Sequence, residues 1–154
     1  MTLVTDAREG TDALSLLTKD HRDIETAFAE YEKLSQADTL KKRKSLADHI
    51  GNELLKHMAI EEDVFYPAIR DKVPGAEGAV KEGIVEHGAA RNMIKQIKSM
   101  KGNEELFDSK VKVLSELIQH HVEEEEKDMF PKVEASDLDL EALAKDMAGH
   151  KATL

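Results

Sequence analysis

The sequence contains neither cysteine nor tryptophan, and it has little proline, glycine or aromatic character. Without cysteine the chain has no disulfide bond, thiolate metal site or cysteine nucleophile, so any metal ion must be held by nitrogen and oxygen ligands. Three prolines and eight glycines leave long stretches without helix breakers, and only 4% of the residues are aromatic. A length of 154 residues suits a single core. These features together favour an all-α protein with one domain.

Basic charge and long apolar runs are also scarce. The formal net charge of −10 disfavours nucleic acid or an anionic membrane surface as a partner, because either would need a basic surface that the chain lacks. No apolar run approaches the roughly 18 residues of a membrane-spanning helix. The first ten residues, MTLVTDAREG, have neither a basic region nor an apolar region of the kind found in signal peptides. We therefore expect a cytoplasmic protein with a flexible N-terminus at residues 1–10.

Apolar residues recur at helical spacing in four long segments, and a weaker fifth segment closes the chain. In the first segment the inward positions follow alternating steps of three and four, at Leu14, Leu17, His21, Ile24, Phe28 and Tyr31. The breaks between segments, at about 35–39, 71–78 and 101–104, are short, so neighbouring helices should be antiparallel. The sequence predicts an up-down-up-down four-helix bundle with a short C-terminal capping helix, occupying residues 11–154. The predicted helices are 11–34, 38–70 with Asp38 as its N-cap, 76–100, 104–134 and 137–148.

An internal repeat divides the chain into two similar halves. The pattern H-x3-E-E-x3-[YF]-P occurs at residues 57–67 and again at 121–131, an offset of 64. An acidic residue followed by histidine precedes each copy, at residues 20–21 and 86–87, an offset of 66. Each half therefore has one helix with a histidine and a second helix with H-x3-E. Two such halves should pack around a pseudo-two-fold axis with the histidines facing inward.

The positions of the breaks indicate that the four histidines share one layer. The midpoints between successive histidines are Thr39, Lys72 and Glu104, which fall within or beside the breaks. A step of four residues is about 6 Å along a helix, so the two glutamates should converge on one side of that layer. Four imidazoles and two carboxylates suit iron or manganese and could also take zinc. The predicted metal ligands are His21, His57, Glu61, His87, His121 and Glu125.

The doubled motif resembles the hemerythrin-like HHE cation-binding family, whose domain the region from about residue 13 to 148 would fill. The resemblance implies an oxo- or hydroxo-bridged pair of iron ions, with the four histidines as terminal ligands and Glu61 and Glu125 as bridges. The chain departs from oxygen-carrying hemerythrins, which have a second histidine where it has Arg91 and a more distant aspartate instead of Glu125. It is closer to bacterial relatives linked to nitric oxide, peroxide or iron-centre repair, but lacks the cysteine-bearing N-terminal domain of the repair proteins.

The resemblance implies a non-haem di-iron protein that binds or reacts with a small ligand such as dioxygen, peroxide or nitric oxide. An oxidoreductase directed at peroxide or nitric oxide is one form of this function. The alternatives are an iron store or donor, an iron-centre repair protein, and a ligand sensor without turnover. A helical interaction module without metal is disfavoured, because it would not require the doubled motif. The ligand set is compatible with any oligomeric state.

Several polar residues near the predicted ligands have competing interpretations. Glu62 and Glu126 lie about 100° off the inward face and should orient neighbours or meet solvent. His120 and His150 should lie at the surface. His49 is two turns before the histidine of its helix, where it could be an additional ligand, an outer partner of a ligand or a surface residue.

Other neighbours are expected to have structural roles. Tyr31 should pack in the core, and Tyr66 and Phe130, each followed by proline, should close helix ends rather than touch the metals. Asp20 and Glu86 could support histidines of other helices or could lie at the surface.

The side of the histidine layer opposite the glutamates is the predicted ligand side. Arg91 and Glu53 are expected to gate an apolar pocket there. Because imidazole ligands must be neutral, the sequence also predicts metal loss on acidification through about pH 6.5 to 5, where free histidine protonates.

Overall fold

The computed structural model of the chain describes residues 10–34 and 40–154, whose regular structure is entirely helical. The predicted flexible segment therefore lies almost wholly outside the described residues, as does Asp38. No helix within the described ranges combines the length and the hydropathy that a bilayer-spanning helix needs. The helices are α1 (Ala13–Leu34), α2 (Leu40–Ile60), α3 (Tyr66–Lys72), α4 (Glu77–Ser99), α5 (Phe107–Glu124), α6 (Phe130–Glu134) and α7 (Leu140–Lys151).

The long helices form an up-down-up-down four-helix bundle, as predicted. Helix α1 contacts α2, α2 contacts α4, α4 contacts α5, and α5 contacts α1, which closes the ring of four. Helix α7 packs against α1, α2 and the segment that joins α2 to α3, so it is the predicted capping helix. Asp139 begins α7 by accepting a hydrogen bond from the backbone N–H of Ala142.

Two π-helical turns, Glu61–Phe65 and Glu125–Met129, interrupt the second and fourth bundle helices at the repeated motif. Each turn widens the helix, so that the backbone N–H of Tyr66 bonds the carbonyl of Glu61, five residues earlier. Pro67 follows, and a proline cannot donate to the carbonyl four residues back and collides with it in a regular α-helix. The widened turn therefore accommodates the proline, and the helix continues to Lys72.

The core consists of two apolar clusters, one toward each end of the bundle. One cluster includes Leu14, Phe65 and Ile69, and α7 contributes Leu143 and Met147 to it. The second includes residues of the four long helices such as Ile24, Ile50, Ile94 and Leu114. The predicted ligands lie at heights between these two clusters and are themselves buried. The architecture thus places a polar layer inside an otherwise apolar bundle.

Short turns connect the helices where the sequence predicts breaks. Gly75 and Gly102 have φ angles of 81° and 107°, a backbone conformation that glycine adopts without steric cost. At the other end of the chain, Asp12 Oδ1 accepts a hydrogen bond of 2.8 Å from the backbone N–H of Ser15 and so begins α1.

Candidate metal centre

The six residues predicted as metal ligands meet in the middle of the bundle. The exposed fraction of each is at most 4%, and Glu61 is completely buried. The two glutamates are the first residues of the two π turns. Their backbones therefore lie where the helix is widest. The histidines come from α1, α2, α4 and α5, in the order His21, His57, His87 and His121.

The Nε2 atoms of the histidines surround the two carboxylates. Glu61 Oε1 lies 3.1 Å from His87 Nε2 and 3.3 Å from His57 Nε2. Glu125 Oε1 lies 3.2 Å from His21 Nε2, and its Oε2 lies 3.3 Å from His121 Nε2. The ligand atoms form two groups that share Glu61, one with His21, His57 and Glu125 and one with His87 and His121.

In each of the four histidines of the cluster, the second ring nitrogen, Nδ1, is paired with a carboxylate outside the cluster. Helix α1 provides Asp20 for His57, and α4 provides Glu86 for His121, so both residues support histidines of other helices. Each helix thus orients the histidine of the next helix around the bundle. The four distances from Nδ1 to oxygen are 2.7 Å for His21–Glu126, 3.1 Å for His57–Asp20, 2.5 Å for His87–Glu62 and 2.7 Å for His121–Glu86.

Four buried polar atoms of the cluster have no hydrogen-bond partner among the described residues. They are His21 Nε2, His57 Nε2, Glu61 Oε2 and Glu125 Oε1. Three of these, His21 Nε2, His57 Nε2 and Glu125 Oε1, lie within 3.3 Å of a neighbouring ligand atom, but without the alignment of a hydrogen bond. A buried polar atom left unpaired costs about 1–3 kcal/mol, so such a group in a native site calls for a compensating partner. Nitrogen and carboxylate oxygen atoms that face one another in this way fit a metal ion.

Opposite charges within the cluster shift the pKa values of its members. Burial opposes ionisation of Glu61, but His57 and the hydrogen bonds around the carboxyl hold its pKa well below the usual value. Burial likewise disfavours the charged form of His57, yet Glu61 and Asp20 raise its pKa to about 10. The pKa of His121 is raised to about 12, because Glu125 and Glu61 outweigh the effect of burial. The carboxylates therefore favour a cationic occupant, which is either a proton or a metal ion.

Tyr66 belongs to the site, which contradicts the prediction that it only closes a helix end. Its hydroxyl donates a hydrogen bond of 2.6 Å to Glu125 Oε2 and lies 3.4 Å from His87 Nε2. Burial and the nearby carboxylates raise the pKa of Tyr66, so the hydroxyl keeps its proton. Gly83 leaves the space for this hydroxyl, since a Cβ there would lie 2.6 Å from it. The proline after Tyr66 hid this role, because it suggested a helix end.

Two other aromatic residues pack around the polar layer. Phe130 stacks on the imidazole of His21, with 6.0 Å between ring centroids, so it too contacts a predicted ligand rather than merely closing a helix. Tyr31 is buried in the core, as expected, and its hydroxyl donates to Asp108.

The predicted gate of Arg91 and Glu53 is not formed. Arg91 lies 2.8 Å from Glu62, on the outer side of His87, and its side chain is 39% exposed. Glu53 instead lies 3.8 Å from Lys56, one turn along its own helix. The prediction failed because the outer carboxylate of His87 attracts the guanidinium more strongly than the interior does.

The remaining histidines lie away from the cluster. His120 is exposed, as predicted, and His150 is half-buried at the surface, with Nε2 2.8 Å from Asp63. His49 is exposed, in the wall of a cavity of about 500 Å³ between α1, α2 and α7. That cavity reaches His57, so His49 lines an approach to the cluster and is not one of its members.

A four-helix bundle with histidines and glutamates buried in its middle defines a class of helical cation-binding domain. The family described as Hemerythrin HHE cation binding domain matches residues 12–133, and the chain belongs to this family. The resemblance drawn from the doubled motif is thereby confirmed.

Individual relatives agree with this assignment. The chain is 30% identical over 118 residues to an uncharacterized hemerythrin-like protein of Schizosaccharomyces pombe, covering 75% of this chain and 56% of that protein. It is 27% identical over 115 residues to a DNA nickase of Nostoc sp., covering 75% of this chain and 31% of the nickase. The chain thus spans only part of the length of these relatives. A crystal structure of a hemerythrin HHE cation-binding-domain protein from Mycobacterium kansasii has a TM-score of 0.74 and 25% identity, covering 92% of this chain and 86% of that one.

Proposed function

We propose that this protein holds two iron ions at the buried cluster and binds or reacts with a small ligand such as dioxygen, peroxide or nitric oxide. The main support is the orientation of the histidines, whose Nδ1 atoms are engaged by outer carboxylates while their Nε2 atoms face inner carboxylates. This arrangement selects the tautomer that offers a lone pair at Nε2 to a metal ion. Membership of a cation-binding family points the same way.

The proposed ligand roles follow from the two groups of ligand atoms. Glu61 suits a bridging role because its Oε1 lies between His57 of one group and His87 of the other. Glu125 suits the same role because its two oxygens approach His21 and His121 separately. Iron is proposed over zinc because iron can exchange electrons with the ligand and zinc cannot, although the donor set also accepts zinc and manganese. The proposed terminal ligands are His21, His57, His87 and His121.

The surroundings of the cluster suit a small ligand. The cavity of about 500 Å³ beside His57 offers an approach between α1 and α2, with apolar walls that include Ile24 and Ile50. On the other side of the cluster, the Tyr66 hydroxyl retains a proton that it can share with a neighbouring oxygen atom. A charge of −10 opposes nucleic acid as a partner, so we do not extend the activity of the Nostoc relative to this chain.

Metal content tests this proposal directly. Protein produced with iron should contain about two irons per chain, and its charge-transfer absorption should change when peroxide or nitric oxide is added. His57→Ala should lower the iron content, because it removes a proposed ligand. His49→Ala is the matched control, since it removes an exposed histidine of the same helix, and it should retain both irons.

The two measurements separate the possible outcomes. Zinc, a single iron or no metal in the unmodified protein would contradict the di-iron proposal. Two irons with a spectrum that peroxide and nitric oxide leave unchanged would instead point to an iron store, a donor or another role without these ligands.

A further inference from the structure

The outer surface between α4 and α5 carries a second group of potential metal ligands, formed by Glu86, His120 and Glu124. His120 Nε2 lies 3.1 Å from Glu124 Oε1 and 3.8 Å from Glu86 Oε2, and the ligand atoms are all within 4.8 Å of one another. Two ligands of one divalent ion, each about 2.1 Å from it, lie roughly 3.0–3.4 Å apart. Because the side chains of His120 and Glu124 are 63% and 44% exposed, small rotations would bring them to that spacing.

Glu86 connects this surface group to the buried cluster. Its Oε1 accepts a hydrogen bond of 2.7 Å from His121 Nδ1, while its Oε2 faces His120. One carboxylate thus touches both a predicted ligand of the buried cluster and the surface group.

An acidic cavity of about 160 Å³ lies behind the surface group and leads inward. It can hold several water molecules at about 30 Å³ each, which is enough for a partly hydrated ion. Lysine and arginine are absent from its lining within the described residues, although Lys132 lies 3.4 Å from Asp128 at its rim. Glu125 and His121, two of the predicted ligands of the buried cluster, are also part of its lining. Five carboxylates line the cavity, those of Glu82, Glu86, Glu124, Glu125 and Asp128.

The equivalent position in the first half of the repeat already contains a cation. Asp20 corresponds to Glu86, and Lys151 of α7 lies 3.3 Å from its outer oxygen. At the offset of 64, Lys56 and Ile60 replace His120 and Glu124, so these corresponding positions do not form a ligand group. In the second half, no lysine or arginine within the described residues pairs with Glu86. The two halves therefore differ in whether the chain itself supplies a cation to the outer carboxylate.

We propose that Glu86, His120 and Glu124 form a surface site for a divalent first-row transition-metal ion, which then passes through the acidic cavity to the buried cluster. The transfer step rests on the proposed function, because it requires the buried cluster to bind metal. The surface site itself does not. Carboxylates along the cavity attract the ion and raise its local concentration, which speeds loading of the interior.

Cobalt(II) provides a probe of both steps, because its visible absorption reports on its ligands. The test variant is His120→Ala/Glu124→Gln, which leaves Glu86 and all six predicted ligands in place. The matched control is His150→Ala/Asp63→Asn, which removes another histidine–carboxylate pair at the surface, 2.8 Å apart and outside the lining of both cavities. At saturation in equilibrium dialysis, the test variant should bind one Co²⁺ fewer than the unmodified protein and the control.

Stopped-flow loading of the metal-free proteins tests the route. The test variant should fill the buried cluster about tenfold more slowly than the control, at an unchanged final level, as expected when a focusing acidic path loses its outer site. Equal Co²⁺ counts for both variants would overturn the surface site, and equal loading rates would overturn the route. A buried cluster that takes up no Co²⁺ even in the unmodified protein would refute the proposed function, while the dialysis count would still decide the surface site.

Discussion

Each buried histidine owes its orientation to one carboxylate on a neighbouring helix. Because Nδ1 donates its hydrogen to that carboxylate, Nε2 is the nitrogen that can give up a proton and offer a lone pair to a metal ion. The carboxylate also increases the electron density of the imidazole and so strengthens its bond to a metal. We therefore expect the outer carboxylates to contribute to metal affinity without touching the metal.

Asp20→Asn tests this contribution at one histidine. The substitution removes the charge behind His57 while keeping the shape of the side chain, and metal affinity should fall about tenfold. Asp23→Asn is the control, because Asp23 lies on the same helix but pairs with the exposed Lys19. Competition with a chelator of known affinity would measure the metal affinity of both variants. Equal affinities in the two variants would show that the carboxylate only occupies space.

At the scale of the helix, the π turns place two side chains where a regular α-helix would not. The extra residue in the turn rotates the side chains that follow it about the helix axis, relative to those that precede it. Glu61 and Tyr66 therefore both reach the cluster from a single helix. The tyrosine also needs a partner helix without a side chain at the contact. Helix α4 provides this through Gly83, whose missing Cβ leaves room for the phenol.

Gly83→Ala and Gly88→Ala form a matched pair on α4. Alanine at Gly88, which has open space around it, should raise the free energy of unfolding by about 0.5–1 kcal/mol through its better helix propensity. Alanine at Gly83 should lower it, because the new Cβ displaces the buried Tyr66 hydroxyl from Glu125. Urea unfolding of the two metal-free variants would show the difference in sign. A similar increase in the free energy of unfolding of both variants would mean that Tyr66 moves aside without a loss of stability.

At the scale of the whole molecule, protons and metal ions compete for the same acidic interior. In the metal-free protein the pKa values of His57 and His121 are raised to about 10 and about 12, so both imidazoles are in the doubly protonated, positively charged form at pH 8. Their pairs with Glu61 and Glu125 contribute to the free energy of unfolding below about pH 6.5, the pKa of unfolded histidine. That contribution is lost as the pH rises through the folded values.

Metal loading at pH 8 should therefore release about two protons per chain, one from each of these histidines. Calorimetry in buffers with different ionisation enthalpies would count them. Metal affinity should rise with pH between 6 and 9, so that metal loss begins above the range of pH 6.5 to 5 expected for unperturbed histidine. Loading without proton release would contradict the raised pKa values.

Much of this architecture follows from helical periodicity alone. The spacing of His21, His57, His87 and His121 about the breaks places them in one layer, and the structure brings them together with both glutamates. Rise per residue and side-chain direction are nearly constant in helices, which makes such arithmetic dependable. Whether these atoms bind metal remains a prediction.

Features that depend on contact between helices were not predictable in the same way. The rotation of each helix about its axis determines whether Asp20 reaches His57 or faces solvent, and local sequence does not encode that rotation. The site role of Tyr66 was missed because a proline normally ends a helix, whereas here a π turn accommodates it. The prediction that Arg91 faces inward was wrong, because its ion pair with Glu62 depends on how the helices pack.

The four histidine–carboxylate pairs, in which each helix orients the histidine of the next helix around the bundle, also bear on how such a protein can arise. A helical hairpin consisting of α4 to α6 contains one complete pairing, His121 with Glu86, and half of two others. Two copies of that hairpin, related by a two-fold axis, would supply every missing half to each other. The present chain thus has the organisation expected of two copies of one hairpin joined in a single chain. Covalent linkage would then free one half to diverge, as α7 and Lys151 have done on one side only.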